Sequence, residues 1–142
     1  MKRSMILILF FCIICASGCY IGDTDSQLVL NKEKSFFSDY SIEDGKVYYY
    51  CYLIIDNKSN NSCRASIVGD FLKDQDSGLL KERYLTAVED KRNIKQSLFL
   101  LEPGENVLEI VFIGTNGKSI VRNDRLLPPI TINKELEEIK PE

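Results

Sequence analysis

The chain has 142 residues, a formal net charge of −3 and neither His nor Trp. This length predicts one domain, and 44% hydrophobic with 27% charged residues is typical of a folded protein rather than a disordered one. The lack of His excludes a Ser-His-Asp triad, a Cys-His pair and any His-ligated metal site within the chain, and the weak acidity argues against a nucleic-acid partner.

The first 18 residues are predicted to be an export signal. Lys2 and Arg3 precede an uninterrupted apolar run at residues 5–16. Twelve residues span about 18 Å as a helix, well short of the roughly 30 Å hydrocarbon core of a membrane. That length favours the hydrophobic region of a signal peptide over a stable transmembrane helix. The small residues Ala16-Ser17-Gly18 then lead directly to Cys19.

This segment resembles a bacterial lipoprotein signal peptide. The lipobox of that class has an aliphatic residue, two small residues and a lipid-accepting Cys; Ser17, Gly18 and Cys19 match it, whereas Ala16 replaces the commoner Leu. The resemblance implies cleavage before Cys19, diacylglycerol on its thiol and a further acyl chain, such as palmitate, on the new amino terminus. Tyr20, rather than Asp, after the Cys favours the outer over the inner membrane in a cell with two. The alternatives are ordinary secretion and an uncleaved anchor.

Cys51 and Cys63 are the cysteines that remain in the exported part beyond Cys19. Because exported proteins mature in an oxidising compartment, the pair predicts a disulfide, which would stabilise the fold by about 3 kcal/mol. The alternative is two buried free thiols. Redox catalysis is disfavoured, since no neighbouring residue in the sequence would lower a thiol pKa.

The exported part is predicted to be all-β. A polar tether at 19–27 precedes a short strand at 28–30, and residues 31–45 are either a loop or an irregular strand. An Asn-Gly pair at 116–117 predicts a tight hairpin, and an acidic tail begins at 134. Further strands are predicted at 46–56, 62–72, 79–88, 94–101, 107–113, 119–122 and 130–132.

Seven or eight short strands without a sustained helical period predict an antiparallel β-sandwich over residues 28–133. The turns Asn57-Lys58-Ser59 and Pro103-Gly104-Glu105, each set between hydrophobic strands, resemble those of small immunoglobulin-like modules of exported bacterial proteins. That resemblance implies an immunoglobulin-like fold and no active site.

The strand at 46–56 is apolar on both faces and is therefore predicted to be central. One face carries Val47, Tyr49, Cys51, Leu53 and Ile55. The other face carries Tyr48, Tyr50 and Tyr52. These three tyrosines either belong to the core between sheets or form a partly exposed aromatic surface for a partner.

Basic residues suggest two further contact surfaces. One is a local cluster, either a solvated face or a docking patch for an acidic partner. Its members are Lys81, Arg83, Lys91, Arg92 and Lys95. With the three tyrosines, Lys81 and Arg83 complete the candidate partner surface. Arg122 and Arg125, ahead of Leu126-Leu127-Pro128-Pro129, are predicted to bracket a second contact surface.

No enzyme motif or metal site is predicted. Asp70, Asp74 and Asp76 cluster near one turn, but a Ca²⁺ loop counted from Asp74 would need an acid where Leu85 stands, so they are interpreted as solvated turn residues. Neither the phosphate-binding Gly-rich loop nor the Gly-x-Ser-x-Gly nucleophile motif occurs. No catalytic residue and no cofactor are therefore predicted.

The predicted function is that of a lipid-anchored binding or assembly accessory of the bacterial cell envelope. It would attach to the membrane through Cys19 and hold an envelope protein, such as a secretion, pilus or adhesion component, close to it. One alternative is a lipid or small-molecule carrier with an apolar cavity between sheets. Another is a surface-exposed host-interaction or immunity factor.

Overall fold

A computed structural model describes residues 27–122 and 124–136 of the chain. The predicted signal peptide, Cys19 and most of the tether and acidic tail lie outside the described residues. The described part forms eight strands and one short helix, which confirms the all-β prediction. The elements are β1 (Leu28–Leu30), β2 (Phe36–Glu43), β3 (Lys46–Asn57), β4 (Cys63–Asp70), α1 (Leu72–Asp76), β5 (Tyr84–Val88), β6 (Phe99–Leu101), β7 (Gly104–Thr115) and β8 (Ile130–Lys134).

The strands form one continuous antiparallel sheet that folds over a single core. Its order is β1–β3–β7–β5–β4–β6, with β2 also pairing with β3 and β8 also pairing with β4. Strand β5 joins the two halves, because its start pairs with β4 whereas Ala87 and Val88 pair with β7. The first half (β1, β2, β3 and β7) therefore packs against the second half (β4, β6 and β8) across one hydrophobic cluster.

Strand β3 is central, as predicted. It pairs with β7 along its whole length, from Lys46 opposite Thr115 to Asn57 opposite Gly104. On its other edge it pairs with β1 and β2. Its inward side chains, including Tyr49 and Leu53, are fully buried. β-Branched and aromatic residues on both faces suit a strand with neighbours on each side.

The undecided stretch at 31–45 contains a regular strand, β2, beginning at Phe36. The register against β3 shifts between Phe37 and Asp39, so Ser38 forms a β-bulge. Phe37 points into the core and Phe36 lies outside it, half exposed. Because of the bulge, Ser38 and Asp39 are exposed in succession, which interrupts the alternation on which a sequence prediction relies.

Two predicted strands are shorter than expected. The strand predicted at 79–88 is reduced to Tyr84–Val88, because Leu79 and Leu80 enter the core from the turn that follows α1. The strand predicted at 94–101 is reduced to Phe99–Leu101, and residues 89–98 form a loop. A final strand after Pro128-Pro129 is confirmed as β8, which among the described strands pairs only with β4.

The predicted hairpin at Asn116-Gly117 is wrong. Strand β7 continues to Thr115, and residues 119–122 do not form a strand. Asn116 instead uses its side-chain amide to donate to the carbonyls of Leu79 and Ser119, each at 3.0 Å. These contacts fix the chain that leaves β7 to the turn after α1. In the predicted hairpin, the chain would instead have run back alongside β7.

The predicted Cys51–Cys63 disulfide is not formed; both side chains are buried and no bond joins them. Cys51 lies six residues before the end of β3, roughly 20 Å along an extended strand. Cys63 begins β4 opposite Leu101, whose carbonyl accepts a hydrogen bond from Asn57 at the end of β3. The two cysteines therefore lie at different levels of the fold, beyond the roughly 7 Å Cα separation that a disulfide allows.

Candidate functional site

The three predicted tyrosines lie together on the outside of the first half. Tyr48, Tyr50 and Tyr52 point away from the core and are half-buried among their strand neighbours. Tyr52 stacks on Phe36 of β2, with ring centroids 5.1 Å apart and planes inclined by 20°. Phe36 is 51% exposed and Val107 of β7 is 53% exposed. We call Phe36, Tyr48, Tyr50, Tyr52 and Val107 the outer aromatic face.

A loop overhangs this face. Residues 89–98 leave β5, and Lys91 extends over β3 so that its Nζ lies 5.5 Å from the centre of the Tyr48 ring. The same Nζ lies 3.3 Å from the Glu43 carboxylate on β2. The hydrogen bond and charge of Glu43 raise the pKa of Lys91 above its ordinary value. The ammonium therefore stays charged, and its contacts with Glu43 and the Tyr48 ring position this part of the loop over the sheet.

Between this loop and the sheet lies a hollow of about 840 Å³ that is open to solvent. Its lining is mixed: Tyr50, Phe99, Val107 and Val111 contribute aromatic and aliphatic side chains, and Glu109 of β7 adds a carboxylate among them. Its rim is charged, because the loop contributes two acidic residues followed by two basic residues at 89–92. A surface that mixes aromatic and aliphatic side chains with charged ones is typical of a protein-binding patch.

The predicted basic cluster is not one positive patch. Arg92 binds Asp90 at 2.9 Å, and this hydrogen bond lowers the pKa of the Asp90 carboxyl. Arg83 makes two hydrogen bonds to Asp70, at 3.0 and 2.9 Å, which lower the pKa of the Asp70 carboxyl. The acid partners neutralise these cations locally.

Lys81 and Arg83 do not join the outer aromatic face. The guanidinium of Arg83 lies over the Tyr84 ring, 4.8 Å from its centre, where β5 pairs with β4. Lys81 is exposed beside the end of β7, to which its backbone N–H donates at the Thr115 carbonyl. Within residues 27–122 and 124–136 no hydrogen bond or ring contact links either residue to the three tyrosines. The candidate partner surface thus retains its tyrosines and gains Lys91.

A buried ion pair, which the sequence did not predict, lies beside the core. Arg122 donates from Nε to Asp74 Oδ2 at 3.1 Å, and the two side chains are only 5% and 9% exposed. The interpretation of Asp74 as a solvated turn residue is therefore wrong, because α1 turns it inward. Arg122 likewise does not bracket a contact surface. Nothing in the local sequence distinguishes Arg122 from an ordinary surface cation, because its neighbours Ile120 and Val121 are themselves strongly exposed.

The buried guanidinium holds the loop that connects β7 to β8. It lies 4.2 Å from the centre of the Phe37 ring, and its two terminal nitrogens donate to the carbonyls of Asp124 and Leu126. The backbone N–H of Arg122 also donates to the Tyr40 hydroxyl at 3.2 Å. The Arg122 side chain thus links two backbone carbonyls of this loop to the Asp74 carboxylate of α1 and to the Phe37 ring of β2, so its role is structural.

The neighbouring Tyr49 offers no reactive group. Its hydroxyl is buried and has no hydrogen-bond partner among the described residues. Burial, followed by the charge of Asp74, raises the pKa of Tyr49 far above its ordinary value. Burial likewise raises the pKa of the Cys51 thiol to about 12. Both groups remain protonated at neutral pH and are unsuited to nucleophilic or general-base chemistry.

In the described part of the chain no three Cys, Asp or Glu side chains lie close enough together to bind a metal ion. The same residues contain no helix with the length and apolar character needed to cross a membrane. No protein-family model, curated protein or solved structure matches the chain. The geometry of the outer aromatic face is therefore the basis for a functional argument.

Proposed function

We propose that this chain is a lipid-anchored accessory of the bacterial cell envelope that binds a protein partner through its outer aromatic face. The anchor is the lipid expected on Cys19, and the folded part is an immunoglobulin-like β-sandwich that performs no catalysis. The partner is an envelope component, such as part of a secretion, pilus or adhesion apparatus. The outer membrane is favoured in a cell that has two.

The observation that carries this proposal is the aromatic surface on the outside of the sheet. Three tyrosines and Phe36 stand side by side on adjacent strands with their rings partly exposed. Tyrosine gives a large contact area with few rotatable bonds, and its hydroxyl can bond at the edge of an interface. The backbone beneath is a central strand paired on both edges, so the rings are already positioned before binding.

The hollow beside the tyrosines favours a protein partner over the carrier alternative. It lies outside the sheet, beneath the loop at 89–98, and is open to solvent. A carrier would need an enclosed apolar cavity between the halves of the sheet. In that region the side chains of Leu53, Ile67 and Phe112 are fully buried against one another in one cluster.

The test is site-specific photocrosslinking in the native host, with the full chain carrying a photoreactive residue in place of Phe36. Tyr84 is the matched control position, because it is also an aromatic residue, 59% exposed, but lies on β5 away from the outer face. We expect one discrete protein adduct from position 36 and none from position 84. The adduct should disappear in a Tyr52→Ser variant that still folds.

Two results would contradict the proposal. Equal adducts from positions 36 and 84 would mean that the outer aromatic face has no special partner. A chain from the membrane fraction that began at Cys19 but carried no lipid there would remove the lipid anchor from the proposal. The second result would leave the binding surface to be judged by the crosslinks alone.

A further inference from the structure

A second surface lies at the end of the domain where β7 leads into β8. The loop at 117–129, described except for residue 123, carries three strongly exposed aliphatic side chains. Ile120 is 70% exposed, Val121 is 55% exposed and Leu126 is 63% exposed. Isolated exposed aliphatic residues are common on protein surfaces, but these three lie on one loop and place apolar surface at this end of the domain. We call Ile120, Val121 and Leu126 the apolar tip.

The apolar tip sits on a fixed backbone. Next to it, the carbonyl of Ile120 accepts from the Tyr40 hydroxyl and the carbonyl of Leu126 accepts from Arg122 at 3.0 Å. At the ends of the loop, the Gly117 N–H donates to the Leu79 carbonyl and the Pro129 carbonyl accepts from Asp70. The residues held at these described positions lose little conformational freedom when the tip binds.

Within the loop that carries the apolar tip, the unpaired charges are positive. Of the charged side chains in the loop, Arg122 is buried against Asp74, and Asp124 is paired with Lys73 and Arg122. Lys118 and Arg125 are both exposed. Neither has a carboxylate within 4.0 Å among the described residues. An acidic surface would therefore complement the tip, because it would neutralise two cations that the domain leaves available.

The loop and the tether lie at opposite ends of the fold. Gln27, the first described residue, accepts a hydrogen bond from Lys58 just after β3 ends. The loop begins at Asn116, whose N–H donates to the Gly45 carbonyl just before β3 begins. The twelve residues of β3 separate these points by roughly 36 Å. A chain anchored through Cys19 would therefore present the apolar tip away from its membrane, an orientation that rests on the proposed function.

We propose that the apolar tip is a second docking site, which takes a protein segment carrying acidic side chains beside an apolar patch. The aliphatic side chains supply the buried contact, while Lys118 and Arg125 select the acidic partner. A protein is favoured over a lipid surface because the tip lies at the far end from the anchor. The site is separate from the outer aromatic face, so both can be occupied in one assembly.

The first experiment places a photoreactive residue at Ile120 or at Leu126 of the full chain in its native host. Asn60 is the control position, since it is exposed in the turn between β3 and β4 at the tether end. Adducts from 120 and 126, but not from 60, should contain one protein, and mass spectrometry should locate the crosslinked segment. The proposal requires that segment to contain acidic and apolar residues.

The second experiment measures the affinity of the purified full chain in detergent for a synthetic peptide of the crosslinked segment. Lys118→Glu with Arg125→Glu should weaken binding by about tenfold or more, and added salt should weaken the unchanged protein. Ile120→Ser with Leu126→Ser should weaken it by at least as much. Leu100→Ser is the matched control, because Leu100 is an aliphatic residue 57% exposed on β6, and it should change nothing.

Adducts from 120 and 126 that contain phospholipid rather than protein would overturn the proposal in favour of a membrane contact. A crosslinked segment without acidic residues, or peptide binding that charge reversal leaves unchanged, would also overturn it. These outcomes are independent of position 36 and of Cys19. A failure here therefore differs from a failure of the proposed envelope accessory.

Discussion

The buried pair of Arg122 and Asp74 is the residue-scale feature on which the far end of the domain depends. Burying two charges is costly, and their mutual attraction offsets the cost only while both are present and hydrogen-bonded. Arg122 meets this condition through Asp74 and two backbone carbonyls. The faces of Phe37 and Tyr49 cover the guanidinium at 4.2 and 5.5 Å from their ring centres.

We expect Arg122→Met to destabilise the protein by about 3–5 kcal/mol, because it leaves the Asp74 carboxylate buried without a partner. Asp74→Asn should also be costly, since it leaves the guanidinium uncompensated. The double variant should lose less than the sum of the two, with a coupling of about 1–3 kcal/mol. Urea unfolding of the four proteins measures this cycle. Additive losses would mean that the two side chains do not act as a pair.

Cys51 provides a chemical prediction at the same scale. With a pKa near 12, only about one thiol in ten thousand is ionised at pH 8, against roughly a quarter for an unperturbed thiol. Native protein should therefore leave Cys51 unmodified by iodoacetamide, with rapid reaction only after denaturation. The unfolding midpoint should be the same with and without reductant. A midpoint that falls on reduction would indicate the disulfide that the fold argues against.

At the scale of elements, the turn after α1 and the chain leaving β7 pack backbone against backbone. Gly117 N–H donates to Leu79, and Ser119 N–H donates to Gly78 at 3.0 Å. A Cβ at position 117 would overlap the Gly78 carbonyl oxygen, which is backbone and cannot rotate away. Glycine is required at 117 for this close approach, and not for a hairpin.

Gly117→Ala should therefore separate the two segments and destabilise the protein by about 1–3 kcal/mol. Gly45 is not a suitable control because its φ is +72°, where any side chain is strained. Ser119→Ala keeps the backbone and provides the comparison on the same segment. Thermal unfolding of both variants measures the difference. Equally small shifts of the unfolding midpoint in both variants would show that the chain leaving β7 and the turn after α1 can separate without loss of stability.

The ion pair between Arg83 and Asp70, where β5 pairs with β4, predicts that the free energy of unfolding depends on pH. Arg83 lowers the folded-state pKa of Asp70 below its ordinary value of 3.8. The pair therefore stabilises the fold fully above the ordinary pKa, and this stabilisation is lost as the pH falls through the lowered folded-state pKa. The gap in unfolding free energy between the unchanged protein and Asp70→Asn should be constant near neutral pH and shrink only in acid. Urea titrations at a series of pH values measure it, and a gap that persists in strong acid would contradict the assignment.

The same elements show how far the sequence could be interpreted. Strand β3 and its two faces were predictable, because alternation and β-branched residues act locally. The disulfide, the Asn116-Gly117 hairpin and the solvated Asp74 were not, because each depends on which distant segment lies opposite. Tyr48, Tyr50 and Tyr52 were correctly placed on one face, but alternation alone could not say which face of a two-sided apolar strand lies outside. The outer face is determined by the way the sheet folds at β5, which brings the second half of the sheet over the opposite face of β3.

At the scale of the whole molecule, the domain has two different ends joined by one long central strand. The tether end carries Gln27 and the turn between β3 and β4, and the far end carries the apolar tip. The outer aromatic face lies along the side between them. The two proposed docking sites therefore face different directions, so that both could be occupied at once in the proposed assembly role.

The last prediction concerns the anchor that would give this layout its direction. Protein purified from membranes of the native host should begin at Cys19 and carry the mass of diacylglycerol and one further acyl chain. Several chains are needed, because each buried methylene contributes about 0.8 kcal/mol and one chain alone anchors only reversibly. Cys19→Ala should abolish the added mass and keep the signal peptide attached, whereas Cys51→Ala should leave the processing unchanged. A chain that begins elsewhere without lipid would make the domain a diffusing exported factor, and the separation between its ends would then have no fixed orientation toward a membrane.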